Sequence, residues 1–173
     1  MLTRNKHSLA GVALIESLIA LAILASALLG LLYMQLRTAA DAESALRRSQ
    51  ALQLIDDLAE RIRSNPDGFA QLASYRSDWG TAPNPGVDCQ AQFCGPDQLA
   101  RWDLAQWKFN VARALPQGDA TVFDPPDLPP GSAARMLGVL VSWQTRNGDS
   151  FELAIPGASC PAGHVCQFGH VHP

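Results

Sequence analysis

One acidic side chain, Glu16, stands in an apolar stretch near the beginning of the sequence, and residues 17–36 after it carry no charge. As a helix rising about 1.5 Å per residue, residues 17–36 span roughly 30 Å, the thickness of a bilayer's hydrocarbon core. An ionised carboxylate there costs about 2–3 kcal/mol or more unless it meets a counter-charge. Because the next cation toward the C-terminus is Arg37, beyond helical reach, the chemistry that Glu16 offers is an ion pair with another chain. The alternative is a carboxylate that reaches the lipid headgroups from a helix that starts late.

The segment before the apolar stretch is short and basic, with Arg4, Lys6 and His7. An ordinary secretory signal has an apolar region of about 7–15 residues followed by a small-residue cleavage site. Here the apolar region is longer, and the plausible small-residue junction precedes it. Cleavage between Gly11 and Val12 would leave the apolar helix on the mature chain and put Glu16 at its fifth position.

The basic leader also predicts the orientation of the chain. Basic flanks are retained in the cytoplasm, so the N-terminus should lie there and the C-terminal part outside. About 110–135 residues remain after the leader and the membrane helix, enough for one small domain. The net charge is −3, and no basic face with interleaved aromatic residues follows the leader, which argues against a nucleic-acid partner.

Four cysteines and three histidines are the second set of side chains that could do chemistry, either by forming disulfides or by binding a metal. An even number of cysteines in an oxidising compartment predicts disulfides, and proximity favours the pairs Cys89 with Cys94 and Cys160 with Cys166, although three connectivities are possible. Metal binding is the alternative, since either pair could begin a zinc site, and His164 lies within the second pair while His170 and His172 follow it. The oxidising compartment favours disulfides with exposed histidines in a frayed C-terminal tail, and we expect no metal and no cofactor.

Signs of catalysis are lacking in the sequence. No G-x-S-x-G, H-E-x-x-H or phosphate-loop motif occurs, and the histidines lie only in the leader and the last ten residues. Asp124 and Asp127 are separated by prolines, which makes a weak calcium site. We therefore expect no catalytic residues and no enzymatic activity; a signal-anchored periplasmic enzyme or metal-binding protein is the alternative of a different class.

Two helices should position the rest of the chain. Residues 37–64 contain neither Gly nor Pro, so the membrane helix should continue outward to Asn65, where Pro66 ends it. Its outer half carries a predicted core stripe, and a second helix over 97–115 carries another. The members of the two stripes are Leu52, Ile55, Leu58 and Ile62, then Leu104, Trp107, Val111 and Leu115, with Leu99 and Trp102 on the first turns of the second helix.

Three strands are expected after the second helix, over 120–123, 136–145 and 151–155. The Asn147-Gly148 turn between the last two predicts a hairpin. The predicted fold class is α+β: a long N-terminal helix, half in the membrane and half amphipathic, packed on a small antiparallel sheet with a second helix. The predicted division is a leader (1–11), a membrane helix (12–36), an amphipathic continuation (37–65) and a globular head (66–173).

The order of basic leader, Gly11, Val12, Ile15-Glu16 and apolar run resembles the signal of type IV prepilins and pseudopilins. This resemblance implies a pilin-like fold, cleavage after Gly11 by prepilin peptidase and N-methylation of Val12. It also implies that Glu16 pairs with the amino terminus of a neighbouring subunit and so sets the register of assembly. Val12 departs from the family's usual Phe, and Tyr33 stands about where a Pro is common.

Later residues are similar to the type IV pilus modification proteins, the PilV-type minor pilins. The similar segments are Gln50-Ala51, 59–66, Tyr75, 103–107, 114–118, the strand that ends at Trp143, and a close cysteine pair before the second helix. The resemblance implies a low-abundance pilin in the inner membrane and then in the pilus fibre, acting in pilus assembly, priming, motility and adhesion. Its implied partners are prepilin peptidase, other minor pilins and the major pilin. The nearest alternative is a minor pseudopilin of a type II secretion system.

Overall fold

The structure, a computed structural model, describes residues 9–81, 83–125, 136–145, 154–155 and 157–172, with side chains from Leu14 onward except that of Ala154. Residues 1–8 of the leader, Asp127, the predicted Asn147-Gly148 turn and strand residues 151–153 lie outside the described residues. The chain forms two compact units, Met1–Ala45 and Leu46–Pro173.

Helix α1 (Leu9–Ser64) is the first element of the structure. Its C-terminal end lies one residue before the predicted end, because Pro66 disfavours helical backbone in the residue that precedes it. The backbone N–H of Asn65 still donates to the carbonyl of Arg61 at 3.2 Å. The chain then turns sharply at Gly68, where any Cβ would collide with the carbonyl oxygen of Ile62.

The outer part of α1 buries one face in the second unit. Ile55, Leu58 and Ile62 are in the core, as predicted. The prediction for Leu52 is wrong, because its side chain is 46% exposed and Ala51 is fully buried in its place. Successive helical residues are rotated by about 100°, so a stripe centred on Ile55 and Ile62 includes Ala51 and leaves Leu52 at its border.

Helix α2 (Pro96–Ala114) follows a short 3-10 helix at Leu72–Tyr75 and matches the second predicted helix to within one residue at each end. Pro96 occupies the first turn, where its missing N–H costs nothing, and the Gln98 side chain accepts a hydrogen bond from the Gly95 N–H at 3.1 Å. The predicted apolar face is buried against the same core; its members are Leu104, Trp107, Val111 and Leu115.

An antiparallel three-stranded sheet completes the head. Its order is β1 (Asp119–Phe123), β2 (Leu137–Gln144) and β5 (His164–Val171), with β2 in the centre. β1 aligns Asp119 with Ser142, and β5 aligns Val171 with Leu137. All of β2 except Gln144 is buried, as a central strand covered on both faces should be. The predicted α+β, pilin-like fold class is confirmed.

The third strand of this sheet is β5, not the segment over 151–155 that the sequence predicted. The described part of the segment expected to form it is β3 (Ala154–Ile155), which pairs with β4 (Ala158–Ser159) in a separate two-stranded ribbon. The C-terminal segment, which was predicted to be frayed, supplies β5 instead. Gly169 lets β5 approach α1 closely, since an added Cβ would lie 2.9 Å from Cγ2 of Ile55. The sequence of residues 164–171 by itself only weakly predicts a strand, and pairing with β2 therefore stabilises β5.

Candidate functional site on the N-terminal helix

The first unit presents the most unusual surface among the described residues. Between residues 14 and 36 of α1, every large apolar side chain is at least half exposed, on all sides of the helix. A helix that is apolar all round is typical of a membrane span or of burial among other helices. Over the described residues, α1 is the one helix long and apolar enough to cross a membrane, with a mean hydropathy of 2.3 in its most apolar window. These side chains are Leu14, Ile15, Leu18, Ile19, Leu21, Ile23, Leu24, Leu28, Leu29, Leu31, Leu32, Tyr33, Met34 and Leu36.

Glu16 lies within this apolar surface, and its side chain is exposed. No basic side chain that the structure describes forms an ion pair with it; the next cation along the helix is Arg37. Outside water, such a carboxylate needs a counter-charge, because desolvation of an unpaired charge is costly. Glu16 can therefore act as an acceptor for a cation that approaches the helix from outside.

The backbone of Gly11 and Val12 belongs to the first turns of α1, which begins at Leu9. Farther along, Gly30 has no neighbour within 4 Å of the position where a Cβ would stand. The packing of this chain therefore does not require glycine at residue 30. A missing side chain at that position leaves room for the close approach of another helix.

The four cysteines form two disulfides, Cys89 with Cys94 and Cys160 with Cys166. These are the two local pairings that proximity favours. His164 lies between Cys160 and Cys166, and its Nδ1 atom lies 3.2 Å from the carbonyl oxygen of Ala162; His170 and His172 follow the second pair. The structure does not gather them into a cluster, and no group of three potential metal ligands occurs among the described residues.

Asp124, one of the two acidic residues considered as calcium ligands, pairs with a cation instead. Its Oδ2 atom lies 2.7 Å from the Arg76 guanidinium, and its Oδ1 atom accepts a hydrogen bond from Nε of the same residue at 2.9 Å. This paired geometry uses both carboxylate oxygens. It ties the segment after the 3-10 helix to the end of β1.

A charged network joins the two helices of the head through a contact between Arg61 and Asp103 that the sequence analysis missed. Arg61 of α1 pairs with Asp57 at 3.0 Å and reaches Asp103 of α2 at 3.4 Å. Burial raises the pKa of the Asp103 carboxyl above its usual value, and the Arg61 guanidinium lowers it in part. The network stabilises the docking of α2 on α1. The signal in the sequence was a charge at Asp103, beside Leu104 on an otherwise apolar face.

A buried cation, Lys108, attaches α2 to the loop before it. Its Nζ atom donates to Oγ of Ser77 at 3.0 Å and to the carbonyl of Asp78 at 2.8 Å, and lies 3.3 Å from Oδ1 of Asp119. Burial lowers the pKa of the Lys108 ammonium, and the Asp119 carboxylate raises it in part. These contacts are structural, because the three N–H groups of the ammonium have three acceptor oxygens inside the head.

The 3-10 helix is anchored by Tyr75, which is fully buried. Nδ2 of Asn65 lies 3.3 Å from the Tyr75 hydroxyl and 2.8 Å from the carbonyl oxygen of Pro96, and donates to both. Burial raises the pKa of the Tyr75 phenol from 10.0 to about 12. Asn65 thus holds the end of α1, the 3-10 helix and the start of α2 together.

A family comparison agrees with this arrangement. Residues 33–105 match the model of a family described as Tt1218-like, type IV pilin Tt1218. Over these residues the chain is similar to a type IV pilin family. The matched part runs from the end of the apolar stretch through the outer half of α1 and the cystine loop into α2, so it contains Arg61, Tyr75 and Asp103. Comparisons with curated proteins and with solved structures find no match.

The type IV pilin match suggests a structural protein that associates with the pilus and the membrane. The apolar helix that the structure describes at the N-terminal end fits a membrane-anchored pilin.

Proposed function

We propose that this protein is a type IV pilin, a minor, PilV-type subunit that takes part in pilus assembly and priming, and through the fibre in twitching motility and adhesion. The observation that carries the proposal is the helix of exposed apolar residues with one acid, Glu16, near its start. Exposure of so much apolar surface to water is unfavourable, whereas a bilayer, and later a bundle of equivalent helices, would cover it.

In the proposed mechanism, prepilin peptidase cleaves between Gly11 and Val12 and methylates the new amino terminus of Val12. The chain waits in the inner membrane with its N-terminus cytoplasmic and its head periplasmic. Residues 12–36 then leave the bilayer and dock against the helices of the major pilin and other minor pilins. Glu16 pairs with the amino terminus of a neighbouring subunit, and an ion pair in low dielectric favours one register over others.

The processing step is tested by mass spectrometry of the membrane-extracted protein. We expect a mature chain that begins with N-methyl-valine at Val12. A chain that begins at Met1, or one cut after Ala27, would contradict the proposal.

The assembly step is tested by Glu16→Gln, which keeps the size of the side chain and removes its charge. We expect normal cleavage, normal amounts in the membrane fraction and at least about tenfold less protein in sheared fibres, equivalent to about 1.4 kcal/mol. Asp41→Asn is the matched control, because Asp41 is an exposed acid on α1 beyond the apolar stretch. Incorporation of the Glu16→Gln variant at the level of Asp41→Asn would refute the role of Glu16.

A minor pseudopilin of a type II secretion system shares the leader, the acid and the helix. Deletion of the gene separates the two functions: a type IV pilus subunit should lower piliation and leave exoprotein release intact. The pairing of Asp124 with Arg76 supports the pilus subunit, because both oxygens of this acid already contact a cation, which competes with a calcium ion of the kind found in pseudopilin heads.

A further inference from the structure

A solvent-open cleft of about 400 Å³ lies in the head between the loop over 84–90 and one face of α2. Its volume falls near the lower end of the range of about 300–1,000 Å³ that small-molecule sites occupy. The loop contributes Asn84, Asp88 and Gln90, and α2 contributes Trp102 and Gln106. None of these residues belongs to the assembly helix or to the charged network between α1 and α2.

The chemistry of the lining is that of a site for a neutral polyhydroxylated ring. Three carboxamides line the cleft, and each offers an acceptor and two donors, the combination that adjacent hydroxyl groups require. Trp102 is only half-buried and adds an aromatic surface, whose negative π face attracts the polarised C–H bonds on one side of a pyranose ring.

The polar groups of the cleft are also available. Within the described part of the chain, the side-chain amides of Gln90 and Gln106 and the Nε1 atom of Trp102 make no hydrogen bond. Asp88 is the single formal charge among the lining residues, and its Oδ1 atom already accepts the N–H of Gln90 at 2.9 Å. With no cation in the lining, the cleft disfavours anions, and one partly used carboxylate beside one ring is a poor cage for a cation.

The loop side of the cleft is held in place before any ligand arrives. The disulfide between Cys89 and Cys94 closes its far end. Oδ1 of Asn84 accepts the N–H of Gly86 at 2.9 Å, and Gly86 has a positive φ of 71°, which a side chain would strain. A site that is already ordered loses little conformational entropy on binding.

From this lining we infer that the cleft between the cystine loop and α2 binds a neutral hexopyranose unit, stacked on Trp102 and hydrogen-bonded by the carboxamides. The inference goes beyond the assembly role and does not depend on it, since it concerns the head alone. For a ligand of this size in an open cleft, we expect a Kd of about 1–10 mM per sugar unit.

Saturation-transfer NMR on the full chain tests the inference, in a zwitterionic detergent because a glycoside detergent would compete. The probes are methyl α-D-glucopyranoside, methyl β-D-galactopyranoside and methyl N-acetyl-β-D-glucosaminide, with choline and a neutral tetrapeptide as probes of other ligand classes. We expect saturable transfer to at least one pyranoside, strongest at the C–H protons of the face that stacks on the indole.

Two substitutions and one control locate the binding. Trp102→Ala and Gln106→Ala should each weaken the pyranoside by about tenfold or more, equivalent to about 1.4 kcal/mol. Phe93→Ala is the control, because Phe93 lies in the same cystine loop, is 95% exposed and does not line the cleft. The affinity of this variant for the pyranoside should be unchanged. Unfolding curves confirm that each variant is folded.

Three results would overturn the inference. The first is the absence of transfer to every pyranoside at about 50 mM, well above the expected Kd. The second is equal binding by folded Trp102→Ala and by the unsubstituted chain. The third is binding of choline or the peptide without binding of any pyranoside. Each of these leaves the Glu16 test of assembly unaffected.

Discussion

The Nε1 atom of Trp107 lies 2.6 Å from the carbonyl oxygen of Leu54 and donates a hydrogen bond to it, so the centre of α2 is fastened to the centre of the outer part of α1. Trp107 is fully buried, and its ring fills the core that both helices share. A buried indole N–H needs a partner, and a helix carbonyl in the facing element supplies one. Docking of α2 therefore combines area burial with one directional bond.

Substitution of Trp107 by Phe should remove this bond and leave a small void. We expect a loss of about 1–3 kcal/mol in the free energy of unfolding. Guanidinium denaturation of the full chain in detergent, followed by fluorescence of the remaining tryptophans, measures it. Phe109→Leu on the exposed side of the same helix should change stability by less than about 1 kcal/mol. Equal losses in the two variants would argue against a special role for the Trp107 bond.

Substitution of Gly169 by Ala should destabilise the head by about 1–3 kcal/mol, because the new Cβ would overlap the Ile55 side chain. Ile55→Ala removes the overlapping atoms, so the double variant should be more stable than the sum of the single losses predicts. A double-mutant cycle of unfolding free energies measures this coupling. Additive effects would mean that Gly169 does not need its contact with Ile55.

Substitution of Arg61 by Gln should cost about 1–3 kcal/mol near pH 8, because Asp103 then ionises in the interior without its counter-charge. A raised pKa means that the folded state holds the Asp103 proton more firmly than the unfolded state does. Stability from this group is therefore full at acid pH and is lost as the pH rises through the folded-state pKa. Without Arg61 this pKa should rise further, so the defect should shrink toward pH 4, as shown by urea denaturation at several pH values.

Two variants complete that experiment. Asp103→Asn in the Arg61→Gln background should remove most of the pH dependence of the defect. Arg63→Gln removes the exposed pair with Glu60 and should cost less than about 0.5 kcal/mol at every pH. A defect of the Arg61 variant that does not change between pH 4 and pH 8 would show that Asp103 is not its cause.

The Tyr75 phenol should make the head less stable in alkaline solution. Its pKa is raised from 10.0 to about 12, so between these values the unfolded chain loses the phenol proton and the folded chain keeps it. Stability should fall by about 2–3 kcal/mol across this range, at about 1.4 kcal/mol per unit. Denaturation midpoints at pH 9 and pH 11.5 measure the fall. Tyr75→Phe should be weaker at pH 9, through its lost hydrogen bond, but should show a smaller fall.

Local signals explain which elements the sequence could predict. Pro66 marks the end of α1 and Pro116 the end of α2, and the spacing of apolar residues located the buried face of α2. These effects act within a turn or two of the chain, so the sequence alone reveals them. Leu52 was misplaced because a stripe's border depends on what packs against it. β5 was missed because Gly169 and the polar residues around it favour a strand only when β2 lies alongside, and that partner is remote in sequence.

The candidate sites divide in the same way. The apolar helix and Glu16 are visible in the sequence because a membrane-length apolar run with one acid is unusual by composition alone. The roles of Gly11 and Val12 came from resemblance. The cleft was not predicted: Trp102 was placed with the predicted core face of the second helix, and the loop over 84–90 carried no site prediction. Their proximity depends on how the cystine loop folds against α2, which no local pattern encodes.

The contact of Gly169 with Ile55 also bears on the order of folding. The apolar face of α1 around Ile55 waits for a strand encoded far downstream, and closing so long a loop is slow relative to helix formation. A newly made chain would carry that face uncovered until β5 forms, and uncovered apolar helices aggregate. If the apolar part of α1 anchors the chain in a membrane, as proposed above, the anchor would keep such nascent chains separate from one another during this interval, and it would thereby protect folding.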